Sequence, residues 1–449
     1  MSREPTRHLA KGGRGTDKTS HLPLARLPIH FFTAAVTFFG LGVVITPWVV
    51  SDLVDFFYHP WLLAVTHTFT LGWITATIMG VMYRYVPALS KTPLRFPRLA
   101  TAQFALFVIG VAGMVAHFVI GIWPGLWSAA AVVVLSIFFF AANMIPCLAP
   151  VWSRGVAERG MLLSILFLLA AAVLGLLLGL DKTFNFLGGN LITNLASHAH
   201  LAALGWVSLT ICAVSYRLIP AFLLPEVQLP RGAMWQLYGL AVAVAGLAVA
   251  LLRGGEASFW GVAVVCGLLS YVAVLVHLVR NRRMPIDWTV RHAMAGVAWL
   301  VVSAGLGLSL IVIDPRDVLG NRVAGTYGTL GLLGWVTNFI VGMSYRLFPG
   351  FVVGIRTGAG WPPLTIAELS LPRYRPFVFF ALNIGDFLLA SGLLTAQVAL
   401  ARLGATVFAI GSGVYGGVML WTLSYAYRRS VPTAAHNPLR VLPGGPANL

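Results

Sequence analysis

Charge is scarce in this chain. Of 449 residues only 10% are charged while 58% are hydrophobic, against roughly 25% charged in an ordinary soluble domain. A chain so short of charge cannot clothe a water-facing surface, which excludes an assembly of soluble domains. Acidic residues are scarcest, 13 against 30 Lys and Arg. The resulting excess of positive charge would suit nucleic acid. However, the basic residues are dispersed along short loops and form no basic domain, so no nucleic-acid partner is expected. Cysteine is limited to Cys147, Cys212 and Cys266, with no CxxC or CxxCH. That removes thiol-zinc sites and covalent haem attachment. There is no phosphate-binding glycine loop and no nucleophile elbow.

Long apolar runs are what the chain has instead. Twelve are expected at about 28–50, 61–86, 99–121, 126–150, 160–180, 191–219, 232–252, 257–279, 292–313, 324–347, 374–398 and 403–427. Most are long enough, at about 1.5 Å per residue, to cross a hydrocarbon core about 30 Å thick. The fold class is therefore all-α, a polytopic membrane protein in contact with the lipid bilayer. Residues 1–27 read as a basic cytoplasmic arm, with Arg3, Arg7, Lys11, Arg14, Lys18 and Arg26, and 428–449 as a cytoplasmic tail. The first apolar run has no small-residue cleavage site behind it and reads as a retained helix. Of the basic residues, only Lys182, Arg253, Arg316, Arg322 and Arg402 fall on the opposite side. This asymmetry places both termini in the cytoplasm, and the chain reads as a bacterial or archaeal plasma membrane protein.

A motif recurs three times. The second span carries His67, Gly72-Trp73, Tyr83-Arg84 and Pro87. The sixth carries His200, Gly205-Trp206, Tyr216-Arg217 and Pro220, and the tenth Thr329, Gly334-Trp335, Tyr345-Arg346 and Pro349. Gly and Tyr are eleven residues apart in each copy, and the copies are offset by 133 and 129 residues. Such regularity predicts three pseudo-repeated four-helix units, about 28–150, 160–279 and 292–427. The shared residues read as architecture: glycine for close helix approach, Trp and Tyr for interfaces, Arg snorkelling to water, Pro at the helix exit. The copies differ at one position, occupied by His67, His200 and Thr329, and at another two residues earlier, occupied by Val65, His198 and Tyr327.

By depth, His67, His198, His200, His59 and His117 fall in one outer layer of the membrane. An intramembrane histidine is costly unless partnered. Its plain role is an interhelical hydrogen bond; its functional role is a ligand, since neutral imidazole binds haem iron and copper. His198 and His200 stand about 200° apart around a helix and would serve different cavities. His67 and His200 are expected to clamp one haem, with His198 facing a second site. Asp386 is the clear intramembrane carboxylate, a candidate proton relay. His277 and His292 are expected to be interfacial.

Twelve helices in three four-helix arcs resemble subunit I of the haem-copper oxidase superfamily. The resemblance implies a haem-binding redox protein with a respiratory partner subunit. In that family the second helix supplies a histidine to a low-spin haem, which His67 matches, and a His-x-His pair ligates two haems, which His198-Ala199-His200 matches in form. There the pair lies on the tenth helix, whereas here it lies on the sixth. The family's copper site also needs a sixth-helix histidine, in many members a Tyr four residues later, here Leu204, and a His-His pair in the seventh span, which has no histidine. These departures count against a complete oxygen-reducing binuclear centre. The chain also resembles, more loosely, the NnrS-type haem and copper membrane proteins of nitric oxide stress. A cofactor-free transporter or assembly protein stands as the third reading.

Overall fold

A computed structural model of the chain describes residues 22–430. The basic arm at residues 1–21 and the tail from 431 lie outside the described residues. Twelve helices are long and apolar enough to cross a membrane: α1 Leu27–Asp55, α2 Pro60–Ser90, α3 Pro97–Ile120, α4 Trp123–Arg154, α5 Val156–Phe184, α6 Leu191–Leu223, α7 Gly232–Leu252, α8 Ser258–Arg280, α9 Trp288–Ser309, α10 Val318–Gly358, α11 Pro372–Thr395 and α12 Val398–Ser424. An even number of spans brings the start of α1 and the end of α12 to the same side, the terminal face.

Local sequence explains many helix ends. Hydrocarbon offers a backbone group no partner, so a spanning segment must satisfy its own hydrogen bonds. Pro60 and Pro97 open α2 and α3, where their missing N–H costs nothing. Asn190 caps α6 by accepting from Ile192 N, and Asp287 caps α9 by accepting from Val290 N. Gly121, at φ 70°, ends α3 in a left-handed conformation natural to glycine. The motif prolines do not mark the helix exits as expected. Pro87, Pro220 and Pro349 lie inside helices that continue to Ser90, Leu223 and Gly358. For Pro87 and Pro220 the lost bond falls near the helix end, where a carbonyl can find another donor.

The three motif helices, α2, α6 and α10, meet at the centre. Each contains one eight-residue π-helical stretch: Thr68–Thr75, Leu201–Ser208 and Leu330–Thr337. Each stretch begins immediately after His67, His200 or Thr329. Its motif glycine admits a large side chain from the helix before. A Cβ on Gly72 would lie 2.6 Å from Phe38, on Gly205 2.5 Å from Phe167, and on Gly334 2.8 Å from Trp299. Any larger residue would force these helices apart.

The motif tryptophans close a ring around the centre. Trp73 Nε1 donates to Thr337 Oγ1 (3.3 Å), Trp206 Nε1 to Thr75 Oγ1 (3.1 Å) and Trp335 Nε1 to Ser208 Oγ (3.2 Å). All three indoles are buried. Each acceptor stands two residues after a motif tryptophan. Ser208 and Thr337 pass their own protons back to Ala203 O and Leu332 O, five residues earlier, in step with the π register. Tryptophan therefore serves here as a core hydrogen-bond donor, not as the interfacial anchor expected from its type.

At the terminal face the motif arginines find acids near the starts of α5 and α9. Arg217 lies 3.5 Å from Glu158 and Arg346 lies 2.8 Å from Asp287. A separate arginine, Arg356, is fully buried. It donates to the carbonyls of Pro362, Tyr425, Arg428 and Arg429, tying the end of α12 to α10.

Thr75→Val keeps the shape of the ring but strands the Trp206 N–H. It is expected to destabilise the bundle by about 1–3 kcal/mol, the cost of a buried unsatisfied donor. Thermal unfolding of the detergent-purified protein measures this, and an unchanged midpoint would show that the ring contributes nothing.

Candidate functional site

Above the tryptophan ring, on the side away from the termini, α2, α6 and α10 spread around a cavity of about 820 Å³. His67, His198, His200 and Tyr327 line it among mainly aliphatic side chains, with Lys182, Tyr58 and Glu256 also on its wall. This size falls within the roughly 300–1,000 Å³ of cofactor and ligand sites.

Backbone carbonyls settle the tautomer of each lining histidine. His67 Nδ1 lies 2.7 Å from Leu63 O, His198 Nδ1 3.0 Å from Ala171 O, and His200 Nδ1 2.7 Å from Ala196 O. A carbonyl can only accept, so Nδ1 carries the proton in all three and Nε2 keeps its lone pair. This is the orientation that metal-binding imidazoles use, with the far nitrogen held by a second group.

His67 and His198 face one another across the α2–α6 seam. Their rings are 6.5 Å apart between centroids and 22° from parallel. Phe118 packs against His67 at 5.0 Å. His198 occupies a niche that exists because residue 175 is glycine, where a Cβ would lie 2.7 Å from its Cε1. His200 turns to the other flank, where its Nε2 accepts from Tyr327 OH at 3.3 Å.

The expected pairing of His67 with His200 is therefore not the contact that forms. His67 meets His198, and His200 meets Tyr327. The reason is rotational. Matching positions on helices arranged in a ring point the same way round, so each meets a different position on its neighbour. Such contacts are heterologous rather than self-complementary. His198 and Tyr327 occupy the same motif position, two residues before His200 and Thr329. The Trp-to-hydroxyl bonds obey the same rule.

The other two outer histidines do not reach the cavity lining. His59 lies 3.7 Å from Asp52. His117 Nδ1 bonds Gly113 O of its own helix, and its ring fills the space left by Gly125. Among the described residues, no group of three or more His, Cys, Asp or Glu side chains stands close enough to hold a metal ion. The cavity thus offers pairs of nitrogen donors at most, short of a histidine-built copper cage.

Sequence reasoning missed two sets of residues. Thr75, Ser208 and Thr337 recur two positions after each tryptophan and were legible from that spacing. His292 is fully buried, not interfacial as expected. It sits between Asn338 and Tyr345 on the neighbouring helix, and only the packing of α9 on α10 reveals this.

Comparison with known proteins yields a match of fold alone. No family model matches the sequence, and no curated protein matches it. Among solved structures, the chain is similar to a haem-copper terminal oxidase dimer. The match has a TM-score of 0.62 and 14% sequence identity over 88% of this chain and 84% of that one. The architecture is thus a twelve-helix membrane protein similar to a haem-copper oxidase subunit, in contact with the bilayer through its spanning helices.

Tyr327→Phe would leave His200 Nε2 without its donor. The expected result is faster acylation of His200 by diethyl pyrocarbonate, read by peptide mass spectrometry. An unchanged rate would mean that the Tyr327 hydroxyl does not occupy that nitrogen.

Proposed function

We propose that this chain is a haem-binding membrane protein acting in electron transfer or redox chemistry. The observation that carries the reading is the His67–His198 pair on the cavity wall. The two rings stand 6.5 Å apart between centroids and 22° from parallel on the α2–α6 seam. Both Nδ1 protons are engaged by carbonyls, which leaves Nε2 of each ring for the iron.

His67 and His198 would hold the iron, and haem there would supply one-electron exchange. The chain's own residues do the rest. Leu63 O and Ala171 O orient the imidazoles and increase their basicity. The aliphatic lining limits water, and Lys182 supplies a cation for an anionic edge group. His200 and Tyr327 form a second polar pair on the same wall, suited to hydrogen-bonding a small ligand. That pair favours, as a second reading, nitric oxide chemistry of the NnrS-like kind. A copper ion would need donors beyond these two, and a redox partner subunit would need a docking face. A cofactor-free transporter or assembly protein remains the reading to adopt if haem is absent.

Reduced and oxidised optical spectra, with a pyridine haemochrome assay, test this on purified protein and variants. His67→Ala and His198→Ala are each expected to abolish low-spin haem, whereas His200→Ala retains it. Loss in His200→Ala with retention in His198→Ala would restore the pairing expected from sequence. Absence of haem from a folded, haem-supplied preparation overturns the proposal. Gly175→Ala, which crowds the His198 ring, is expected to lower haem content without unfolding the bundle; full occupancy would show that this niche does not position the ligand.

A further inference from the structure

A second buried site lies below the cavity, between α9, α10, α11 and α12. Asp386 on α11 is fully buried, and neither carboxyl oxygen has a hydrogen-bond partner. It presses on the π-helical stretch of α10, where a Cβ on Gly334 would lie 2.6 Å from its Oδ2. At the matching place the nearest side chain is Phe38 for Gly72 and Phe167 for Gly205. The carboxyl thus distinguishes this helix seam from the other two.

The polar groups around it are closed among themselves. Trp299 Nε1 donates to Asn383 Oδ1 (2.8 Å). Asn383 Nδ2 donates to Phe379 O (2.7 Å) and Asn338 Oδ1 (3.2 Å). Asn338 Nδ2 donates to Gly334 O (2.9 Å), so its Oδ1 must be the acceptor for His292 Nδ1 (3.0 Å). His292 Nε2 then accepts from Tyr345 OH at 3.3 Å. These bonds join the groups to one another, and none of them reaches Asp386.

The chain of groups has a direction. The Arg375 guanidinium lies 4.8 Å over the Tyr345 ring, near the terminal face. His292, Asn338 and Asn383 lead inward to the level of Asp386. Beyond Asp386, Leu300, Leu333 and Leu389, the near neighbours of Trp299, Gly334 and Asp386, line the cavity floor. The titratable groups on these helices are Arg291 and His292 on α9, Arg322, Tyr327, Tyr345, Arg346 and Arg356 on α10, Arg373, Tyr374 and Arg375 at the base of α11, and Arg402 and Tyr415 on α12. None hydrogen-bonds or ion-pairs with Asp386.

We propose that Asp386 is a proton-binding site of the membrane interior, set in the α10–α11 seam beneath the cavity. A carboxylate without donors in a low-dielectric seam is far costlier than the neutral acid. The resting group is therefore the protonated acid. The step is a proton movement alone. The acid releases H⁺ and the resulting carboxylate takes one back, and no electron or metal is involved. The inference does not rest on haem.

Infrared spectra in H₂O and D₂O test the binding. At neutral pH the wild-type protein is expected to show a protonated-carboxyl band that moves on deuteration and is missing in Asp386→Asn. Absence of the band, or its persistence in Asp386→Asn, overturns the proposal. So does a band seen only when sodium is removed, because the group would then be an ionised cation ligand. If Asp386→Asn does not fold, Asp386→Glu keeps the test open, since it must retain a carboxyl band at a shifted position; an unshifted band counts against the assignment.

Discussion

Hydrocarbon gives a polar group no partner, and nearly every feature of this protein is a response to that constraint. Backbone groups are satisfied within helices. Indole donors, which would be stranded in the core, are satisfied by hydroxyls of the next helix, and three such bonds close a ring. Because each tryptophan reaches to a neighbour, the ring also sets how α2, α6 and α10 are rotated. That rotation decides which side chains meet in the cavity above. His67 faces His198, and His200 faces Tyr327, for the same geometrical reason that Trp206 faces Thr75.

The same constraint gives the histidines their chemistry. An imidazole inside a membrane needs a hydrogen-bond partner, and the carbonyl one turn back or on α5 provides it. Satisfying Nδ1 leaves Nε2 as the reactive atom. A group installed for stability and a group prepared for ligation therefore look alike locally. The difference is whether Nε2 finds a donor, as His200 does in Tyr327, or faces another Nε2-bearing ring across a cavity, as His67 does. Asp386 marks the opposite case, a fully buried carboxyl with neither oxygen hydrogen-bonded. A buried, unpartnered carboxyl inside a membrane protein points to a role outside folding.

The fold was largely legible from residue order. Hydropathy located all twelve spans, and the three Gly-Trp motifs identified the helices that meet at the centre. His67, His198 and His200, singled out by depth and repeat position, all line the cavity. Their partners were not legible. Equal depth suggested that His67 and His200 should meet, but depth carries no information about rotation around a helix in a ring. His59 and His117 share the depth and still miss the cavity, because they face Asp52 and Gly125. His292 looked interfacial beside Arg291, yet its helix turns it inward onto Asn338.

What the sequence determined by itself is therefore a twelve-helix membrane protein and the residues that could not be there without a reason. Apolar length and motif spacing are one-dimensional properties, and lipid enforces them segment by segment. What only the tertiary structure decided is the pairing: His67 with His198, His200 with Tyr327, and Asp386 with no partner. Those outcomes depend on helix rotation and on the π-helical stretches at the centre, where glycine permits contact and a tryptophan selects its neighbour. These are many-body packing results, and no single segment encodes them.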